Sequence, residues 1–397
     1  MNLRRYWLKG FIFAFFLSTL GGSLTTIALA YKFLLSSDGS GTQYAWLIGG
    51  AAISGILFGP YVGRTVDHTH HWKYWLIGVD ALLAVIVFLF MYIQTPILAA
   101  SIVFFSVPLE LLYGSLVFKV SAVILTSESD LKKFNRNFDN INSLGFIFGP
   151  IAAPILLDVF GSIKYLFLID SASYLISAFI NLLFLLRISE VNLPRIDESE
   201  KSSERLTLIQ MWKIVRYQLQ RKVLIAILIY WTSFSSVAFT LSLLAKKVVS
   251  QNLTLYSLPV LAIYFGRILV TRSPGILKRS DLGMFKLGTT GAALGMFALI
   301  FVNSVWSLVI VEFILGGFIG MARIGESTFL QRKLPLQILG NIGVARQLFP
   351  MAAKLISVPV IVVLVNTGGL SSSLAALSLG FAFSAYSSMR KLSSKSG

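Results

Sequence analysis

Ile97-Leu-Ala-Ala-Ser-Ile-Val-Phe-Phe-Ser-Val-Pro108-Leu-Glu110-Leu-Leu-Tyr113-Gly114-Ser-Leu-Val-Phe-Lys119-Val-Ser121-Ala122 carries charge only at Glu110 and Lys119. A helix crosses the hydrocarbon core of a bilayer in about 20 predominantly apolar residues. Lipid offers no partners to backbone N–H and C=O groups, so a run of this length predicts a membrane-spanning α-helix. Glu110 falls near its middle, where an ionised side chain costs about 2.5–3.5 kcal/mol on insertion scales and normally faces a cavity or a partner.

The pattern repeats on either side. Apolar runs predict spans at 11–35, 43–63, 74–94, 97–122, 139–158, 164–187, 222–245, 253–271, 283–302, 304–325, 341–365 and 368–389. Composition agrees. The 397 residues are 56% hydrophobic and 13% charged, with a mean hydropathy of +0.78, whereas soluble domains carry about 25% charged residues. The expected fold is an all-α membrane protein of about twelve transmembrane helices in two six-helix bundles. The net charge of +17 does not indicate nucleic acid, because Lys and Arg sit in short connections and form no single patch. The absence of cysteine excludes disulfides, thiolate metal ligands and Cys nucleophiles. His68, His70 and His71 share one connection without an acidic cluster, so neither a metal site nor a cofactor is expected. Arg4, Arg5 and Lys9 before an apolar run, with Ala28-Leu29-Ala30 behind, imitate a secretory signal. The run exceeds the roughly 7–15 residues of a signal core and reads as an uncleaved first span.

Basic connections mark the cytoplasmic side of a membrane protein. Arg4, Arg5 and Lys9 at one end, Arg390, Lys391 and Lys395 at the other, and the Lys- and Arg-rich stretches 128–136, 267–286 and 323–346 all fall on that side if both termini are cytoplasmic. The opposite connections are poor in charge, with Asp38 near 36–42 and no charged residue at 94–96, 302–304 or 366–369; Lys246 and Lys247 are the exception. The charged stretch 188–221, which contains Pro194, divides the chain into an N-terminal bundle at 1–187, a cytoplasmic linker and a C-terminal bundle at 222–397. Within the linker, Leu206, Ile209, Ile214 and Leu219 interleave with Lys213, Arg216 and Arg221, which suggests a short amphipathic helix on the membrane surface. Two sets of six spans imply an internal repeat, although at the residue level only Gly149-Pro150 and Phe349-Pro350 echo one another. The protein is expected to be a multi-pass monomer of a bacterial cytoplasmic membrane.

Polar residues inside the spans carry the functional signal. Ser18, Gly22 and Thr25 in span one, Glu110, Gly114 and Ser121 with Tyr113 in span four, Thr232, Ser236 and Thr240 in span seven, and Glu312, Gly316, Gly320 and Arg323 in span ten recur at offsets that share a helix face. These stripes suggest a water-filled path; small residues that let helices pack closely give the same pattern. Ser18, Thr25, Tyr113, Thr232, Ser236, Thr240 and Arg323 are the candidate substrate-cavity residues. Glu110 is the first candidate for proton coupling, with a static ion pair to Lys119 or Lys354 as the alternative. Lys354, Glu312 and Asp170 complete the coupling candidates, and hydrogen-bonded structural roles are the expectation for the last two.

Gly59-Pro60-Tyr61-Val62-Gly63-Arg64-Thr65-Val66-Asp67-His68 resembles the loop signature of the major facilitator superfamily, with Gly63 and Asp67 matching and His68 standing where the family usually has Arg. Gly145-Phe-Ile-Phe-Gly149-Pro150 is similar to the core of the exporters' antiporter signature, with Ala153 and Pro154 in place of the usual glycines. Leu166-Phe167-Leu168-Ile169-Asp170-Ser171-Ala172-Ser173 and Gln331-Arg332-Lys333-Leu334-Pro335 extend the likeness to the branch of macrolide-efflux and enterobactin-exporter-type proteins. The resemblance implies two bundles that rock about a central site. It gives Gly63, Asp67 and Arg346 the role of a conformational latch, and Gly145, Gly149 and Pro150 that of a seal against leak. It further implies proton-coupled export of a small amphipathic compound by a protein embedded in a lipid bilayer. Import or lipid movement is the alternative. A receptor or membrane enzyme is more distant, because no soluble sensing domain and no clustered catalytic residues are evident.

Overall fold

In the computed structural model, residues 2–30, 32–33, 42–69, 71–125, 127–186, 213, 215–219, 221–249, 253–273, 275 and 278–389 are described. The protein is all helical across them. In chain order the helices are α1 (Asn2–Ala30), α2 (Thr42–His68), α3 (Trp72–Leu89), α4 (Pro96–Ile124), α5 (Glu128–Phe160), α6 (Lys164–Leu186), α7 (Arg221–Val249), α8 (Leu253–Arg272), α9 (Asp281–Ala298), α10 (Val305–Lys333) and α11 (Leu339–Met389). Gly369, at φ 72° and ψ 176°, breaks α11 into two arms. A β-carbon opposes that positive φ, so glycine is the residue that turns the chain there. With both arms counted, the described residues form twelve long helical segments at the positions expected from the apolar runs. Eight of the helices are long and apolar enough to cross a membrane. The basic ends Arg390, Lys391 and Lys395, Asp38, His70 and nearly all of the 188–221 stretch lie outside the described residues, as do most residues of the suggested amphipathic helix.

Local chemistry sets the helix ends. Thr95 accepts from the Leu98 amide at the start of α4, Ser127 from Asp130 at α5 and Ser280 from Gly283 at α9. Ser304 and Ser307 bond reciprocally at the start of α10. Each cap satisfies amides that the first turn leaves without partners. Gly161, at φ 65°, ends α5 in the left-handed conformation.

Outward faces are apolar. Ile97, Phe105, Val159, Phe301, Trp306 and Leu379 are each more than 60% exposed. This is the surface of a protein whose solvent is lipid, and there helix association rests on close packing and on hydrogen bonds.

The chain forms two compact units. The first comprises Met1–Ser202 and Pro335–Leu355, the second Ser203–Leu334 and Ile356–Gly397. In the first, α1 packs on α5 and α6, α2 on α4, and α3 on α6; in the second, α10 packs on both α8 and α9. Glycines permit these approaches. A β-carbon on Gly145 or Gly149 of α5 would press into Thr19 or Ser23 of α1, down to their backbone carbons. On α10, Gly316 faces the Ile263 carbonyl, and Gly266 of α8 faces the Phe313 carbonyl. The small residues of span ten, one of the expected cavity stripes, therefore include helix-packing contacts.

Candidate functional site

The first unit holds a set of membrane-embedded acids and phenols. Glu110 projects from α4 as an exposed side chain, with Ser106 one turn earlier, whose hydroxyl donates to the Val103 carbonyl at 3.1 Å. Asp170 and Tyr174 on α6 lie within electrostatic reach of it. Asp170 is fully buried. Its Oδ1 accepts from the Ser173 hydroxyl at 3.3 Å, and its Oδ2 has no hydrogen-bond partner. Thr25 of α1 stands beside Asp170 without completing a hydrogen bond. Gly21 of α1 leaves the space that Asp170 and Ser173 fill.

Asp80 on α3, which the sequence reading did not single out, belongs to the same neighbourhood. It is 1% exposed. Its Oδ2 accepts from Ser177 Oγ at 2.7 Å and from Asn181 Nδ2 at 2.9 Å, both on α6. Tyr113 and Tyr174 both feel its charge. An Asp in the middle of an apolar run was the available sequence signal, and the run hid it because Ser177 and Asn181 lie far along the chain. Among the described residues, no Lys, Arg or His pairs with Asp80, Glu110 or Asp170. Tyr113 stacks with Phe11 and Phe15, which closes one side of the neighbourhood with aromatic rings.

Neither expected ion pair to Glu110 forms among the described residues. Lys119 donates instead to the backbone carbonyls of Val66 at 2.9 Å and Asp67 at 2.7 Å, and its Nζ lies 4.0 Å from Asp67 Oδ1. An ammonium buried at the C-terminal end of α2 finds carbonyls and a carboxylate there, which a position opposite Glu110 does not offer. Lys354 is partly buried and makes no ion pair among the described residues.

Asp67 and its surroundings form a second constellation in the same unit. The Asp67 carboxylate accepts from the amides of Gly340 at 2.6 Å and Asn341 at 3.1 Å, and from the Asn341 side chain. These amides open α11, so the carboxylate caps a helix N-terminus, where both orphan donors and the helix dipole favour it. Gly63 and Gly340 make the approach possible: a β-carbon on Gly63 would meet Asn341, and one on Gly340 would meet Asp67 and Val66. The partner of Asp67 is thus the start of α11 itself. The Arg346 guanidinium lies 4.8 Å from the centroid of the Phe118 ring. Farther along α11, Gln347 Nε2 donates to Ser115 Oγ at 3.3 Å, and the Gln347 amide fills the space beside Gly114.

The remaining candidates are distributed along both units. In the first, the Ser18 hydroxyl donates to the Phe15 carbonyl at 3.0 Å. In the second, Thr232 donates to Leu228 and Thr240 to Ser236, each to its own helix. A hydroxyl proton spent on the preceding turn is not offered to a ligand. Ser236 is fully buried next to Ser235. Arg323 lies 5.9 Å from the Phe234 ring centroid on α7. Glu312 is 2% exposed, and its Oε1 has no hydrogen-bond partner, contrary to the hydrogen-bonded role expected of it. Burial excludes water from that oxygen, and the packed surface of α10 supplies no donor in its place. Pro150 lies inside α5, one residue after the Gly149 contact with α1. No metal-holding group of His, Asp and Glu occurs among the described residues.

No curated protein matches the sequence. Among solved structures, the human organic anion transporter MFSD10 (TETRAN) superposes with a TM-score of 0.71 at 16% identity, over 98% of this chain and 100% of that one. FucP in its outward conformation gives 0.69 at 14% identity, over 96% and 97%. A second structure of this E. coli fucose:proton symporter gives 0.67 at 15% identity, with the same coverage. The profile of the Major Facilitator Superfamily matches residues 11–358. The twelve-segment all-helical fold, the Gly63–Asp67 loop and this match agree: the chain belongs to the Major Facilitator Superfamily, as a multi-pass membrane protein of transporter type.

Proposed function

We propose that the protein is a proton-coupled exporter of a small amphipathic compound, of the drug, macrolide or siderophore class, in the branch of macrolide-efflux and enterobactin-exporter-type proteins. It works by alternating access as a monomer in a bacterial cytoplasmic membrane, with both termini inside. One observation carries the reading. Glu110 is an accessible carboxyl within electrostatic reach of the buried Asp170, and among the described residues no basic group pairs with either. A carboxyl in a low-dielectric setting without a cation is costly to keep ionised, and two that feel each other resist being charged together. Such a pair suits the loading and release of a proton. Tyr174 and Thr25 sit where they can stabilise either charge state. Asp67, the Gly63–Gly340 approach and the α11 start act as the latch of one conformation, and Arg346 steadies α4 through Phe118. Gly145, Gly149 and Pro150 hold α5 tight against α1.

The test is accumulation of macrolides, dyes and siderophores in pump-deficient cells expressing the protein, with Glu110→Gln and a proton uncoupler as comparisons. Lowered accumulation, abolished by both, is the expected result. Uphill export by Glu110→Gln at the wild-type level removes the proton role of that residue. Raised accumulation of a panel compound favours import.

A further inference from the structure

Asp80 is a buried acid of the first unit that neither the latch nor Glu110 explains. It lies inside α3, 1% exposed, against Ser177 and Asn181 of α6, both fully buried. The two oxygens of its carboxyl are used unequally. Oδ2 accepts two hydrogen bonds, at 2.7 and 2.9 Å, whereas Oδ1 has none. Two further buried oxygens in the same cluster, Asn181 Oδ1 and the Tyr113 hydroxyl, are also without partners. Tyr113 feels the charge of Asp80 and sits beside Asn181.

This inequality has a chemical meaning. An ionised carboxylate accepts at both oxygens, and a buried one needs donors on each. A protonated carboxyl accepts through its carbonyl oxygen and donates through its hydroxyl. Oδ2 is used as the carbonyl of such a group. Oδ1 then carries the hydrogen, and Asn181 Oδ1 and the Tyr113 oxygen are acceptors with capacity to spare.

We infer that Asp80, held by Ser177 and Asn181, is a second proton-binding site of the first unit. The titratable groups turned toward it are Tyr113 from α4 and Tyr174 from α6. Tyr174 also feels Asp170 and Glu110. The site takes one proton on Oδ1 and returns it from the same atom. The inference rests on the reading that these acids handle protons, and it holds for either direction of transport.

The purified full chain in lipid nanodiscs is titrated across neutral pH by infrared difference spectroscopy. The wild-type protein is expected to show a protonated-carboxyl band that Asp80→Asn removes. Ser177→Ala is expected to keep the band and shift its frequency, because one hydrogen bond to Oδ2 is lost. Asn preserves much of the hydrogen bonding to α6, so a purely structural Asp80 predicts no change in the protonated-carboxyl region. That outcome, or loss of carboxylate bands alone in Asp80→Asn, overturns the inference. If Asp80→Asn fails to fold, Ser177→Ala decides: an unshifted protonated-carboxyl band also overturns it. The spectrum reports the proton at Asp80 whether or not the accumulation assay detects export, so the two readings fail separately.

Discussion

Asp67 shows how much one side chain can organise. Its two oxygens accept from two consecutive amides of α11, and Lys119 balances its charge from α4. Replacing a side chain that caps a helix start costs about 0.5–2 kcal/mol. Asp67→Ala is therefore expected to lower thermal stability by about that amount, and also to loosen the contact of 335–355 with α2 and α4. The chain has no cysteine, so a single cysteine placed at Ser115 gives a clean accessibility probe. Its labelling is expected to rise several-fold in the Asp67→Ala background; unchanged labelling would remove the latch role. The His68 that stands in place of the family's Arg is exposed, and Lys119 supplies the positive charge to Asp67 from another helix.

At the scale of elements, packing depends on where side chains are missing. Gly149 of α5 lies against Ser23, so that a β-carbon there would come within 2.8 Å of a backbone carbon. Gly78 of α3 has open space around it. Gly149→Val is expected to destabilise by about 1–3 kcal/mol or more, the usual cost of overpacking. Gly78→Ala should leave the unfolding temperature unchanged or slightly raised, since alanine favours helix. Equal unfolding temperatures for the two variants would count against the close α1–α5 approach. The second unit offers a parallel at Gly316, where the obstacle is the Ile263 carbonyl and not a movable side chain. The paired packing of α2 with α4 and of α8 with α10 is also the best structural counterpart of the repeat that the residues themselves barely display.

For the whole molecule, the charge pattern makes a topological prediction. Ser129 and Asn303 are both exposed, at the start of α5 and just before α10. With both termini in the cytoplasm, Ser129→Cys is expected to react with a membrane-impermeant maleimide only from the cytoplasmic side. Asn303→Cys should react only from outside. The reverse pattern would invert the orientation drawn from Lys and Arg. The proposed proton-handling acids divide between the units: Glu110, Asp170 and Asp80 lie in one, and Glu312 lies buried in the other.

The sequence by itself determined the number and placement of the helices, because hydrocarbon leaves a chain few options: apolar runs of sufficient length become helices. The Gly63–Asp67 spacing pointed to the family's loop, and the apolar run around Glu110 marked that residue as exceptional, since a lone charge in a span stands out locally. Partnership was not legible. Lys119 looked available to Glu110 from nine residues away, yet it serves Asp67. The stripe of glycines in α10 looked like a cavity wall, yet some of its glycines admit another helix. Asp80 passed unnoticed until α6 brought Ser177 and Asn181 to it. Hydrogen bonds between helices depend on rotation and depth, which the period of a single helix does not encode. Only the tertiary structure decides which acid finds a base and which finds hydroxyls and amides.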